Sequence, residues 1–269
     1  MKYFLSLVVC VLASAGYLVF GAALTGFFVA DRAQAGDPQA PSPAGRYLDV
    51  RTATVFGGAC HIGSEDGSQG RSALFAVEFL EGKYADENLV GVRAVGIVES
   101  KANLGRELDP SKGGDPSERR SLLVVDAPTD AGADAAVAWL RSVAGTELGQ
   151  VVETRRASVV MHLDAESGGA FELTIPGLLK ASGAGLPDRE CCSMPEQVWY
   201  GPLLGKALVP AAVVGFTERA QFDGTMDLGP WRYDGANTAF LGTFASGSTP
   251  APSDCCGSTS PLPESAQSW

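Results

Sequence analysis

The chain has 269 residues, 45% of them hydrophobic and 19% charged, which is enough apolar material for a substantial core and excludes disorder throughout. Its formal net charge is -11, and it becomes -12 without residues 1 to 35, which hold two basic residues and one acidic one. A nucleic-acid binder needs a concentrated basic face to displace counterions, so nucleic acid is excluded as an expected partner.

Residues 4 to 30, from Phe4 to Ala30, carry no charge; Lys2 precedes them and Asp31-Arg32-Ala33-Gln34-Ala35 follows. That is the pattern of an export segment, and Ala33-Gln34-Ala35 offers the small-x-small motif for cleavage before Gly36. The apolar run is also long enough to span a bilayer, so an uncleaved N-terminal anchor is the alternative. Both readings place the rest of the chain outside the cytoplasm, in the periplasm or cell envelope, with a membrane contacted only through this segment. Cys10 reads as one more small apolar residue of that helix.

Residues 36–45 form a proline-rich spacer, because repeated prolines block helix and sheet pairing alike. From Tyr47 to Phe56, β-branched and aromatic residues alternate with small or charged ones, predicting a strand that Gly57-Gly58 stops. Cys60 then follows a strand end. Ala73, Phe75, Val77 and Phe79 recur at period two and predict a second strand with one buried face. Glu81-Gly82-Lys83 turns the chain, and the valine-rich run Leu89 to Val98 predicts a strand covered on both faces. Asn103 to Arg120 is rich in Gly, Pro, Asp, Ser and Lys and reads as a long surface loop.

Ser121 to Asp126 predicts a short buried strand. Thr129 or Asp130 can cap a following helix over about residues 130–144, whose apolar face is Ala133, Ala136, Val137, Leu140, Val143 and Ala144, with Gly145 as its end. Its many alanines suit close packing on a sheet. Val151-Val152, Ala157 to Leu163 and Phe171 to Ile175 supply further strands, the last a hairpin return after Gly168-Gly169. Ala207 to Phe216, Trp231 to Tyr233 and Ala239 to Phe244 complete the set. The expected class is α+β, a mostly antiparallel sheet with at least one packed helix, over a single domain of residues 46–245. Residues 246–269, rich in Ser, Thr, Pro and Gly, read as a disordered tail.

Short motifs occur in a distinctive order: Tyr47-Leu48-Asp49-Val50-Arg51-Thr52 with Gly57-Gly58-Ala59-Cys60, then Glu81-Gly82-Lys83-Tyr84 with Leu89-Val90-Gly91-Val92. Leu123-Val124-Val125-Asp126, Trp199-Tyr200-Gly201-Pro202-Leu203 and Ala239-Phe240-Leu241-Gly242-Thr243-Phe244 follow. In these the chain resembles the bacterial family catalogued as domain of unknown function 1326, over about residues 46 to 245. The resemblance implies an uncharacterised family with no established activity. Its members often carry a further cysteine in the first strand, where this chain has Ala53.

The chemistry is concentrated in the thiols. Cys60-His61 and Cys191-Cys192-x-Met194, with Met161-His162, hold both histidines of the chain and two of its four methionines. Thiolate, imidazole and thioether are the ligands that select Cu(I), so Cys60, His61, Cys191, Cys192 and Met194 are the candidate metal ligands. In an oxidising compartment the competing reading is structural, Cys60 bridged to Cys191 or Cys192, with Cys255 and Cys256 pairing elsewhere. Five cysteines remain after export, so one is left over in a monomer. The third reading, a thiol-dependent enzyme, meets the difficulty that adjacent Cys60 and His61 on an extended chain point to opposite sides. No GxSxG, HExxH, phosphate-loop or dinucleotide motif is present. Glu65-Asp66 and Glu190 read as loop carboxylates, His162 and Met161 as core residues of a strand, and Trp199 and Tyr200 as core aromatics. The expected function is a binding or accessory module of the cell envelope, its partner a small ligand, a metal or an envelope protein.

Overall fold

The structure, a computed structural model, describes residues 42–56, 70–104, 115–165, 168–186, 198 and 200–245; residues 1–41 and 246–269 fall outside them. Among these residues no helix is long and apolar enough to cross a membrane. Strand β1, Ala44–Arg51, lies centrally, antiparallel to β2, Ser72–Glu81, on one side and to β13, Ala236–Ala245, on the other. Beyond β2 come β5 (Arg93–Glu99), β6 (Arg120–Asp126) and β7 (Gln150–Arg156). Beyond β13 come β11 (Val213–Phe222), β10 (Leu179–Gly185), β9 (Ala170–Ile175) and β8 (Val160–Leu163), while β12 (Trp231–Arg232) pairs with β11 off the main path. A separate small hairpin is made by β3 (Lys83–Tyr84) and β4 (Glu87–Asn88).

The connectivity forces this sheet to curl. Strands β7 and β8 stand at opposite edges of the ten-strand path, yet only residues 157–159 join them. Laid flat at the usual strand spacing, the edges would be about 40 Å apart, whereas four Cα steps reach at most about 14 Å. The linker is held on the other side by Val159, whose N–H donates to Asp126 Oδ2 at 2.9 Å and whose carbonyl accepts from Arg93 Nη1 at 3.4 Å.

Curling sorts the strand residues by parity. Leu48, Val50, Leu74, Ala76, Val95, Ile97, Leu122 and Val124 face inward and pack with Met161, Leu163, Phe171, Leu173, Ile175 and Phe222. The alternate residues, Tyr47, Phe75, Val77, Phe79, Ala94, Leu123 and Val125, face outward and are covered by helix α1, Asp130–Leu148, and by the segment 200–209. Thr129 caps α1, its hydroxyl accepting from Gly132 N–H at 3.0 Å. The helix seats Trp139 edge-on against Phe79, centroids 5.0 Å apart, and 5.2 Å from Phe244.

The fold is thus β-rich and mostly antiparallel with one packed helix among the described residues. As expected, the pairing is mostly antiparallel; the exception is β6 and β7, which run parallel because α1 carries the chain back to the start of the sheet. Several other sequence expectations need correction. Strand β2 is buried on both faces, since the sheet is covered inside and out. The Leu89 to Val98 run is not one strand; Gly91, at φ 81°, turns the chain before β5 begins at Arg93. Helix α1 continues past Gly145 to a cap at Gly149, with Ala144 departing from helical geometry, and its buried face includes Trp139, while Val137 and Val143 are only partly covered. The strand expected from Ala207 runs from Val213 to Phe222. Strand β10 has no counterpart among the expected elements; at Gly183 a Cβ would stand 2.1 Å from the Phe216 carbonyl oxygen and 2.6 Å from the Phe171 ring, so the weak strand former is what the close approach requires.

Candidate functional site

Residues spaced by two on a strand share a face, so Tyr47, Asp49 and Arg51 form a polar stripe on the outer side of β1, between the inward Leu48 and Val50. The stripe is buried: Tyr47 and Asp49 are 0% exposed and Arg51 3%. The backbone of Tyr200–Leu204 covers it. Asp49 Oδ2 accepts from the Tyr47 hydroxyl at 2.6 Å and from Leu203 N–H at 2.7 Å, and the Tyr47 oxygen accepts from Leu204 N–H at 3.3 Å. Arg51 spans two loops, Nη1 donating to the Leu104 carbonyl and Nη2 to the Gly201 carbonyl, each at 2.6 Å. The Tyr200 ring lies 5.2 Å from its guanidinium carbon, a cation–π contact, and the Tyr200 hydroxyl accepts from Asn103 Nδ2 at 2.9 Å.

Several chain segments meet here. Leu104 N–H donates to the Gly70 carbonyl at 2.8 Å. A side chain at Gly70 would collide with Ala53, its Cβ only 2.8 Å from the Ala53 Cβ, and stand 3.7 Å from the Tyr200 hydroxyl. Phe56 and Val198 form an isolated antiparallel bridge, and the Phe56 carbonyl also accepts from Asn237 Nδ2 at 3.2 Å. Gly70 and Leu104 therefore meet beside Ala53 and Tyr200 near the Arg51 end of β1, and Phe56 and Val198 meet at a bridge of their own.

Burial dominates the electrostatics. It raises the Asp49 pKa from its ordinary value, against the opposing influence of the Arg51 charge and the Tyr47 and Leu203 hydrogen bonds. The ion pair is too loose to reverse this: Asp49 Oδ1 is 3.8 Å from Arg51 Nε, beyond hydrogen-bonding distance. Burial also pushes the Tyr47 phenol well up, with the Asp49 charge acting in the same direction. Arg119, 6% exposed beside the C-terminal turn of α1, has its pKa lowered by burial; Glu147 opposes that and the Arg51 charge adds to it. The first role of this network is mechanical, since one strand's side chains fix the Leu104 and Tyr200–Leu204 backbones.

Cys60, His61, Cys191, Cys192 and Met194, the expected metal ligands, lie outside the described residues, as do Cys10, Cys255, Cys256, Glu65, Asp66, Glu190 and Trp199. Among the described residues no group of three or more His, Cys, Asp or Glu side chains could hold a metal ion. Met161 is buried in the inner core and Tyr200 is 2% exposed, as core residues should be. His162 is not: on edge strand β8 the inward positions belong to Met161 and Leu163, and His162 alternates out to solvent. Asp49, Arg51, Asn103 and Arg119 were not singled out by sequence reasoning. The available signal was two charges at period two inside an apolar strand, a pattern that burial on both faces makes costly unless the charges are partnered.

No protein-family model matches this chain, and no curated protein matches it. Among solved structures it is similar to the crystal structure of acetoacetate decarboxylase from Legionella pneumophila subsp. pneumophila str. Philadelphia 1, at 10% sequence identity and a TM-score of 0.35, over 84% of this chain and 94% of that one. A likeness of that size assigns no activity.

Proposed function

We propose that the chain is an exported binding or accessory module of the cell envelope whose two thiol-bearing segments together hold a soft metal ion, Cu(I). The observation that supports this is the Phe56–Val198 bridge. Cys60 follows Phe56 by four residues and Met194 precedes Val198 by four. An extended chain spans at most about 3.6 Å per residue, so each of these Cα atoms is tethered within about 14 Å of its end of the bridge. Cys192 and Cys191 precede Val198 by six and seven residues, which sets limits of about 22 and 25 Å, and His61 adjoins Cys60. The residue types are those that select Cu(I) over harder cations.

The same tethering serves a disulfide between Cys60 and Cys191 or Cys192, and redox state separates the two readings. A structural bridge takes Cys60 and one of Cys191 and Cys192 out of the thiol count of the native protein, and its removal costs about 2–5 kcal/mol. A metal site leaves titratable thiols in the metal-free form. The test is a titration of the reduced full-length protein with Cu(I) against a competing chelator, repeated on Cys60→Ser and on Cys191→Ser/Cys192→Ser. Weaker binding in both variants is expected, and unchanged affinity in both overturns the proposal. Fractionation of the native host tests export separately: recovery in the soluble cytosol overturns it, and resistance to carbonate extraction identifies residues 1 to 35 as an anchor.

A further inference from the structure

A cavity of about 370 Å³ lies where the β11–β12 ribbon opens into its loop, lined by Gln221, Phe222, Asp223, Pro230, Trp231 and Arg232. The strand register gathers these residues, Gln221 standing opposite Arg232 and Phe222 opposite Trp231. Phe222 is buried and backs the indole, the two ring centroids 6.3 Å apart. The loop that frames the cavity is fastened down. Thr225 N–H donates to the Leu228 carbonyl at 2.9 Å, and Leu228 itself is buried in the inner core. Across the barrel end, Arg120 donates to the Asp227 carbonyl and carboxylate, each at 2.8 Å, and Gly229 N–H donates to Glu99 Oε2 at 3.0 Å. The hollow is therefore preformed, and its volume lies at the small end of the range of about 300–1,000 Å³ that small-molecule sites occupy.

We propose that this cavity binds a neutral saccharide of one or two rings. Its lining carries one carboxylate, Asp223, and one guanidinium, Arg232, so neither sign of charge dominates. Both are already oriented: Gln221 Nε2 donates to Asp223 Oδ1 at 2.7 Å, and Arg232 Nε donates to the Asp234 carboxylate. An anion would meet Asp223 and a cation Arg232, whereas hydroxyl groups can donate to the first and accept from the second. Pro230 and Trp231 supply apolar surface for the C–H face of a sugar ring, and a wholly apolar ligand would cover the amide, carboxylate and guanidinium without replacing their water. The Trp231 Nε1–H is buried and has no acceptor among the described residues. A ligand oxygen supplies the acceptor that the fold leaves out. None of the lining residues belongs to the thiol segments, so the saccharide site is independent of the metal reading.

The experiment is a calorimetric and saturation-transfer NMR titration of the full-length protein with glucose, N-acetylglucosamine, cellobiose and chitobiose. Phenol and glycine serve as contrasting aromatic and zwitterionic probes. Saturable binding of at least one saccharide is expected, with magnetisation transferred to its ring protons. Trp231→Ala weakens that binding by about tenfold or more through the lost ring surface, and Asp223→Ala by about tenfold through one lost charge-assisted hydrogen bond. Met226→Ser, at the exposed tip of the loop and outside the cavity, leaves it unchanged, as does Cys60→Ser. Should Trp231→Ala fail to fold, Asp223→Ala decides, because its side chain carries no part of the core. Absence of a saturable response to all four saccharides overturns the proposal, as does binding of phenol or glycine alone, or undiminished saccharide binding in Asp223→Ala.

Discussion

Replacing Asp49 by Asn tests the electrostatic account of the β1 stripe. An asparagine keeps an oxygen for the Tyr47 hydroxyl and Leu203 N–H, which lie at 2.6 and 2.7 Å from the native carboxylate, and removes only the charge. Because burial raises the Asp49 pKa, the folded state holds the proton more tightly than the unfolded chain does. The associated stability is fully present below the ordinary aspartate value of about 3.9 and is lost as pH rises through the folded-state value. Each unit of that rise corresponds to about 1.4 kcal/mol. Relative to the native protein, Asp49→Asn therefore gains stability as pH rises from about 4 toward neutrality. Arg51→Met behaves oppposite in kind: it orphans the Leu104 and Gly201 carbonyls and leaves a buried carboxylate alone, a loss of about 3–5 kcal/mol at neutral pH. Urea unfolding of the three proteins across that pH range supplies the numbers. Parallel pH profiles for Asp49→Asn and the native chain, or a loss from Asp49→Asn as large as that from Arg51→Met, would refute the view that burial outweighs the ion pair.

Trp139→Ala empties the centre of the outer core against Phe79 and Phe244 and should lower stability by about 3–5 kcal/mol, read as a fall in the urea midpoint at unchanged slope. Ala85 and Asp86 both have positive φ, 48° and 67°, in the two-residue turn between β3 and β4, so Ala85→Asn should stabilise by about 0.5–1 kcal/mol; a lower melting temperature would refute that. Ser121 is fully buried and its Oγ has no partner among the described residues, so Ser121→Ala should be neutral or stabilising by up to about 1 kcal/mol, with calorimetric loss of stability as the contrary result.

Local patterns in the chain were sufficient for the elements whose burial follows a simple period. Thr129 before an alanine-rich 3.6-residue repeat announced α1, and the period-two apolar residues of Ala73 to Phe79 announced β2. The junction was legible only in fragments. Tyr47, Asp49 and Arg51 could be placed on one face of one strand, but their partners, Leu104 and Gly201, are 53 and 150 residues from Arg51, and no local signal links them. Strand β10 escaped notice for a related reason: Gly183 and the alanines of Leu179–Gly185 are poor strand formers in isolation, and they serve because neighbouring Phe171 fills their space.

By itself the sequence determined that the chain holds a core of useful size, that its strands dominate, that one helix packs by an alanine-rich face, and that its acidity disfavours nucleic acid. Those properties depend on composition and on periods of two or 3.6 residues, which are carried within a dozen neighbouring positions. Tertiary structure decided that the sheet curls, because a three-residue link joins strands at its opposite edges. It also decided that β2 is buried on both faces, that β7 runs parallel to β6, and that Asp49 and Arg51 are buried with a loop over them. Each of these follows from contacts between residues far apart in the chain, whose closure entropy and burial energy no local window contains.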